Sequence, residues 1–291
     1  MRNLLFVILY LLSGLAARAD EAKPEIFAPL VISAPVLDTG PTFSADQSMV
    51  IFERAEGEHR RLYEAHREGD GWGAPKPIPF EGPWTYIEPT LSADGSYLIF
   101  ASNRPIDGGT TPTDGFWAGK TQLGRGGQLW RSDRTPSGWS APKPLPALIN
   151  SSSSIFNPAQ SRNGTLYYMQ TAAEDKKFHL MRAELGRDGY AKPERLPFFV
   201  VGAADVDPAV AGDESFIIFG SPRETPGQLK LFITYRKKDG WTTPKMLPGP
   251  INEGSSATDL HLSPDEKTLY FLRDLVIWQA PIADTVKALR E

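Results

Sequence analysis

The chain has 291 residues, a formal net charge of −4, 26 glycines, 26 prolines and no cysteine. That length can bury a large core without covalent staples, and the missing cysteines exclude disulfides, thiol nucleophiles and thiolate-bound zinc. The mild acidity argues against general nucleic-acid binding, which needs clustered Lys and Arg, while the glycines and prolines suit a chain with many tight turns.

Residues 1–19 have the layout of a secretory signal peptide. Arg2 supplies the positive start, residues 4–12 are an apolar run, and Ala17-Arg18-Ala19 is a small-x-small cleavage site. The run is short for a membrane span, and no second one follows. Removing this segment takes away two arginines and no acid, which moves the net charge from −4 to −6. The expected mature chain, 20–291, is a single domain without a membrane span, located in the periplasm or secreted. Residues 25–32 come next, with Ile26, Phe27, Leu30, Val31 and Ile32 close together.

From residue 40 onward one unit repeats, and repeats of this length indicate propellers or solenoids. The first unit opens on Phe43-Ser44-Ala45-Asp46, followed by strands at 49–52 and 61–65 and by Gly71-Trp72-Gly73-Ala74-Pro75. The second has Leu91-Ser92-Ala93-Asp94-Gly95, strands at 97–100 and 128–132, and Gly138-Trp139-Ser140-Ala141-Pro142. The third has Gln160-Ser161-Arg162-Asn163-Gly164, strands at 166–168 and 179–183, and Gly189-Tyr190-Ala191-Lys192-Pro193. The fourth has Val210-Ala211-Gly212-Asp213, strands at 216–219 and 231–235, and Gly240-Trp241-Thr242-Thr243-Pro244. The fifth has Leu262-Ser263-Pro264-Asp265 and strands at 269–271 and 276–279, but no Gly-Trp-x-x-Pro. The turn residues recur about every 50 positions, with one gap lengthened by an insertion near 105–127.

Such turn residues offer positive φ and side-chain-to-backbone bonding, and the aromatic and β-branched strands fit a pleated face. Four short strands per unit predict an all-β fold, a β-propeller of five four-stranded blades. The segment 25–32 is expected to supply the missing outer strand of the last blade and close the ring. Six blades is the alternative, though 21–39 is short for four strands.

Pro89-Thr90-Leu91-Ser92-Ala93-Asp94-Gly95 and Ser263-Pro264-Asp265-Glu266 resemble the WD40-like repeats of TolB-type propellers. The resemblance covers about 41–273 and departs from the usual turn glycine at Gln47, Glu214 and Glu266. It implies a propeller used for protein interaction in the bacterial envelope, or as the gate of a serine peptidase. The latter does not fit a chain with neither a Gly-x-Ser-x-Gly elbow nor room for a hydrolase domain.

If the Asp-Gly turn lies on the bottom face, the starts of the innermost strands and the ends of the second strands share the top, around the channel mouth. The candidate ligand-binding residues there are Glu88, Arg104, Asn157, Asp207, Arg223 and Asp259. Arginines could grip a carboxylate or phosphate in bidentate fashion. Alternatively, each acid pairs with an arginine and ties blades together. The recurrent Trp72, Trp139, Tyr190 and Trp241 read as packing, whereas Trp84, Tyr86, Phe116 and Trp117 are either packing or contact residues.

His59, His66, His179 and His261 are scattered without metal-ligand spacing, so no metal, cofactor or assigned catalytic residue is expected. The first functional reading is a binding propeller for a protein, peptide or small anionic ligand. A glycoside-acting enzyme using Glu88, Asp207 and Asp259 is the second, and an envelope scaffold the third.

Overall fold

A computed structural model of the chain describes residues 23–33 and 36–290. The signal segment expected at 1–19 lies outside the described residues. The rest is a five-bladed β-propeller, each blade a small antiparallel sheet radiating from a central channel.

The innermost strands are Asp38–Phe43, Tyr86–Leu91, Ile155–Gln160, Val206–Val210 and Thr258–Leu262. The second strands are Met49–Glu56, Tyr97–Ser102, Leu166–Thr171, Phe216–Ser221 and Thr268–Arg273. Third strands follow at His59–Glu68, Gln128–Thr135, Phe178–Ala183, Lys230–Lys237 and Val276–Pro281. In the first, second and fourth blades the outermost strand is split: a Gly-Trp pair bonds the far end of the third strand, and the Lys-containing pair before the Leu-Pro or Ile-Pro bonds its middle.

The expected closure is present. Glu25–Ile26 pairs with Val276–Pro281, aligning Ile26 with Trp278. Phe27 then buries its ring against Phe43, Trp72 and Tyr270 at centroid distances of 5.7, 6.2 and 5.0 Å. One element was not foreseen: the helix Ala283–Arg290 packs on the fourth blade, where Tyr235 donates to the Val286 carbonyl at 2.6 Å.

Local chemistry explains the repeat. In the second blade Asp94 Oδ1 accepts from Ser92 Oγ at 2.8 Å, Ser96 Oγ at 2.6 Å and Ser96 N at 3.0 Å. Ser96 and Ser92 bonding holds the Asp94 carboxyl down at about 2. The first blade repeats this at Asp46, whose carboxyl is also lowered to about 2. The residue after the turn acid is left-handed, with φ 71° at Gly95 and 61° at Glu214 and Glu266. Asparagines 150 and 252 act as clasps. Asn150 Oδ1 accepts from Leu129 N at 2.7 Å, and Nδ2 donates to the Leu129 and Leu145 carbonyls at 2.9 and 3.1 Å. Asn252 does the same with Leu231 and Leu247.

The recurrent aromatics pack between blades, as expected: Trp139 Nε1 donates to Glu64 of the first blade at 3.0 Å, and Trp241 lies 6.1 Å from Phe198. Trp84 and Tyr86 also belong to the core, the latter fully buried with its hydroxyl on the Glu81 carbonyl at 2.6 Å.

Candidate functional site: an acidic ring under an aromatic cavity

Every innermost strand carries the same bulge. Its register slips between Thr39 and Thr42, Ile87 and Thr90, Phe156 and Ala159, Val206 and Ala209, and Thr258 and His261. One residue in each slip is left-handed: Gly40 (φ 62°), Glu88 (56°), Asn157 (46°), Asp207 (55°) and Asp259 (53°). Proline follows the first four, and its missing N–H suits a place where the ladder is already broken. Asn and Asp tolerate this conformation best among L-residues. Glutamate tolerates it less well, so Glu88 holds a strain of order 1 kcal/mol or more.

The bulges gather polar side chains around the axis. Glu88, Asn157, Asp207 and Asp259 come together there, as the sequence suggested. The first blade contributes only Gly40, and a Cβ there would lie 3.3 Å from Asp259 Oδ2. The missing group is replaced by Glu53, a fully buried glutamate from the second strand of that blade. The ring is laced from blade to blade. Glu88 N donates to Glu53 Oε2 at 3.1 Å, Asn157 N to Glu88 Oε2 at 2.7 Å, and Asp259 N to Asp207. Asn157 Nδ2 also reaches Asp259 Oδ1 at 3.2 Å.

Four carboxylates crowded in a low-dielectric channel disfavour one another's ionisation. Burial, then the neighbouring Asp259, pushes the Asp207 carboxyl up to about 7. Glu53 rises to about 7 because its burial outweighs the adjacent Arg60, with which it forms an ion pair. Burial and Asp259 raise Glu88 well above the ordinary range.

The arginines lie elsewhere. Arg223 bonds the buried Asp205 at 2.7 Å and stacks on Phe219 and Phe232 at 4.9 and 5.3 Å. Arg104 stacks on Trp130 at 4.8 Å. Arg54 bonds Asp38 at 2.7 Å and the Val31 carbonyl at 3.0 Å, which ties the closing segment to the first blade. None of the described ion pairs joins Arg104 or Arg223 to a ring acid.

Above the ring a cavity of about 660 Å³ opens on the top face between the first three blades. Its floor includes Glu88, whose Oε1 accepts no hydrogen bond from the described residues. Its walls include Trp117, Phe156, Phe178 and Arg60. Trp117 comes from the insertion, which forms the hairpin Gly115–Trp117 and Lys120–Gln122. This hairpin is fastened down: Asn103 Nδ2 donates to the Gly124 carbonyl at 2.9 Å, Gly124 N donates to Asp114 Oδ1 at 2.6 Å, and Phe116 N donates to Ser154 Oγ at 2.7 Å. Gly127 passes so close to Phe156 that a Cβ would fall 2.2 Å from its ring. A second cavity, about 630 Å³, lies on the opposite face among the Asp-Gly turns. Among the described residues no group of three or more His, Cys, Asp or Glu is arranged to hold a metal ion.

Trp117 was among the sequence-based contact candidates, whereas Glu53 and the walls Phe156, Phe178 and Arg60 were not. The signal available was Gly40, since glycine alone among the five bulge residues leaves the ring short of a side chain; which acid fills the place was not legible.

No family model matches the chain, and no curated protein matches it. Solved structures do. TolB from Acinetobacter baumannii superposes with a TM-score of 0.53 at 12% identity over 84% of this chain, which spans about half of that protein (54%). A gluconolactonase from Xanthomonas campestris gives 0.53 at 13% identity, covering 92% of both chains. A thermostable family-43 glycoside hydrolase gives 0.53 at 10% identity, covering 86% of this chain and 90% of its own. Identities this low carry the fold and no activity, so the chain is a β-propeller similar in architecture to TolB and to propeller enzymes alike.

Proposed function

We propose that the protein is an exported binding propeller that docks a protein partner on its top face. The observation that carries this reading is where its apolar side chains are exposed. Of 11 large hydrophobic residues exposed among those described, nine lie in top-face loops. The closing segment provides Leu30 and Val36, and the insertion Ile106, Phe116 and Leu123. The remaining four are Leu148, Val200, Val201 and Leu275, in loops around the other blades. Scattered exposed hydrophobics need no explanation, but the concentration of nine of the 11 on one face supports an interaction surface there. The export signal expected at 1–19 supports a site of action in the periplasm or outside the cell. No helix among the described residues is long and apolar enough to cross a membrane.

Glycoside hydrolysis needs two carboxyl groups facing one sugar-sized space. Of the ring acids Glu88 alone lines the upper cavity, where the other lining carboxyl, Glu58, is an exposed rim residue, while Asp207 and Asp259 are only 5% and 7% exposed and line neither cavity. That favours binding over turnover.

The test is differential capture from an envelope extract of the host. Leu123→Asp combined with Val201→Asp should lose the proteins that wild type retains. Leu185→Asp, on the bottom hairpin, should keep them. Identical capture by all three proteins would overturn the reading.

A further inference from the structure

We propose that the upper cavity is a receptor for a basic side chain, lysine or arginine, presented by the partner docked on the top face. This rests on the docking reading above and names the chemistry of its anchor. Two independent features converge on a cation. The first is an aromatic wall. Trp117 and Phe156 meet at 87° with centroids 5.6 Å apart, Phe156 and Phe178 at 79° and 5.9 Å, and Trp117 and Phe178 lie 6.1 Å apart. All three rings line the cavity while packing on one another, and an aromatic wall of this kind favours a desolvated ammonium or guanidinium over an anion. The second is the floor. Glu88 lines the cavity, none of the described hydrogen bonds reaches its Oε1, and beneath it stand Glu53, Asp207 and Asp259, with Arg60 already engaged by Glu53.

The wall is preformed, because the hydrogen bonds of Asn103, Asp114 and Ser154 fix the Trp117 hairpin, so little ordering opposes binding. Of the arginines that could grip an anion, Arg60 lines the cavity but is paired with Glu53, Arg125 lines it at the rim, and Arg104 and Arg223 are stacked on blade aromatics away from it, whereas Glu88 on the floor has no cationic partner among the described ion pairs. The charged and titratable groups around Glu88 are Glu53, Arg60, Asp207 and Asp259 in the channel, and Glu58, His59 and Arg125 at the rim. A cation seated on Glu88 expels the proton that burial keeps there. Binding therefore releases a proton, and affinity rises with pH by up to about tenfold per unit while Glu88 is protonated in the free protein.

The probes are N-acetyl-lysine methylamide and N-acetyl-arginine methylamide, with N-acetyl-norleucine methylamide as the neutral isostere, titrated by calorimetry in two buffers of different ionisation enthalpy. The expected result is binding of a basic probe with proton release, at least tenfold weaker norleucine binding, and a tenfold or greater loss in Glu88→Gln and in Trp117→Leu. Circular dichroism and the melting transition verify that these variants are folded. Should Trp117→Leu fail to fold, Glu88→Gln and the norleucine comparison decide alone. Equal binding of norleucine, no binding of either basic probe, or no proton release overturns the proposal. Loss of these probes with top-face capture intact sinks the cation receptor and leaves the docking surface standing. Intact probe binding with capture unchanged by the Leu123 and Val201 variants does the reverse.

Discussion

Asn157 hands its main-chain N–H to Glu88 Oε2 at 2.7 Å, joining the third blade to the second at the channel axis. The bond needs only an acceptor, which a glutamine also supplies. Glu88→Gln should therefore fold with its melting temperature at pH 5 within a few degrees of wild type and, because it removes a repelled acid, gain on wild type as the pH rises to 9. A large loss at every pH would show that the charge itself holds the ring together.

Asp207 gives the sharper pH signature. Its carboxyl titrates at about 7 in the folded protein, against about 4 in an unfolded chain. Between those values the folded protein holds a proton that the unfolded chain has lost. The stabilisation is thus complete below pH 4 and vanishes as the pH climbs through 7. Glu53 acts in the same direction. Asp207→Asn should flatten this slope, with a gain at pH 8 relative to wild type of order 1–3 kcal/mol in urea denaturation. The turn acids Asp46 and Asp94 oppose it at the acid end, since their stabilisation is lost as the pH falls from 4 through 2.

Removing Arg223 leaves Asp205, 1% exposed, without its ion-pair partner. Arg223→Ala should cost about 3–5 kcal/mol in equilibrium unfolding. The double variant Arg223→Leu with Asp205→Leu should recover much of that. An unchanged melting temperature in the single variant would return Arg223 to the list of ligand contacts.

Phe27→Ala should cost about 3–5 kcal/mol, since it empties an aromatic box closed by Phe43, Trp72 and Tyr270. Limited proteolysis should then cut between residues 28 and 38 before any other site. Cleavage first within the blades would mean that the closing strand is not what shuts the ring.

Gly127→Ala would place a methyl group 2.2 Å from the Phe156 ring and 2.6 Å from the Ile155 carbonyl oxygen, so both the ring and the backbone at 155 must shift. Fluorescence of Trp117, which touches Phe156, should shift in this variant without loss of the far-UV spectrum. A silent spectrum would mean that the strain relaxes through the backbone of the insertion instead.

Local chemistry was legible in the sequence. The turn acids, the Gly-Trp pairs and the closing strand are short-range signals, set by φ requirements and by apolar residues that must find cover, and each stands where the repeat puts it. Position on the top face was legible too, which brought Glu88, Asn157, Asp207 and Asp259 together. What the repeat hid was compensation between strands. Glu53 enters the ring from the second strand of the blade whose bulge residue is Gly40, and only packing reveals that. The arginines at the ends of the second strands face sideways into blade aromatics, a direction that period and spacing do not encode. The helix Ala283–Arg290 sits beyond the last repeat, where the period has nothing to say.

The Ile26–Trp278 pairing joins positions separated by nearly the whole described chain. During synthesis the first strand to emerge must therefore wait, unpaired, for the last blade. Blades can collapse locally as they appear, but the ring stays an open crescent with a sticky margin at each end. Closing so long a loop adds little entropy cost, about 0.6 kcal/mol per doubling of length, so the delay is one of order and not of energy. A fragment cut short before residue 276 could never latch, which makes the pairing a built-in check that translation has reached the fifth blade.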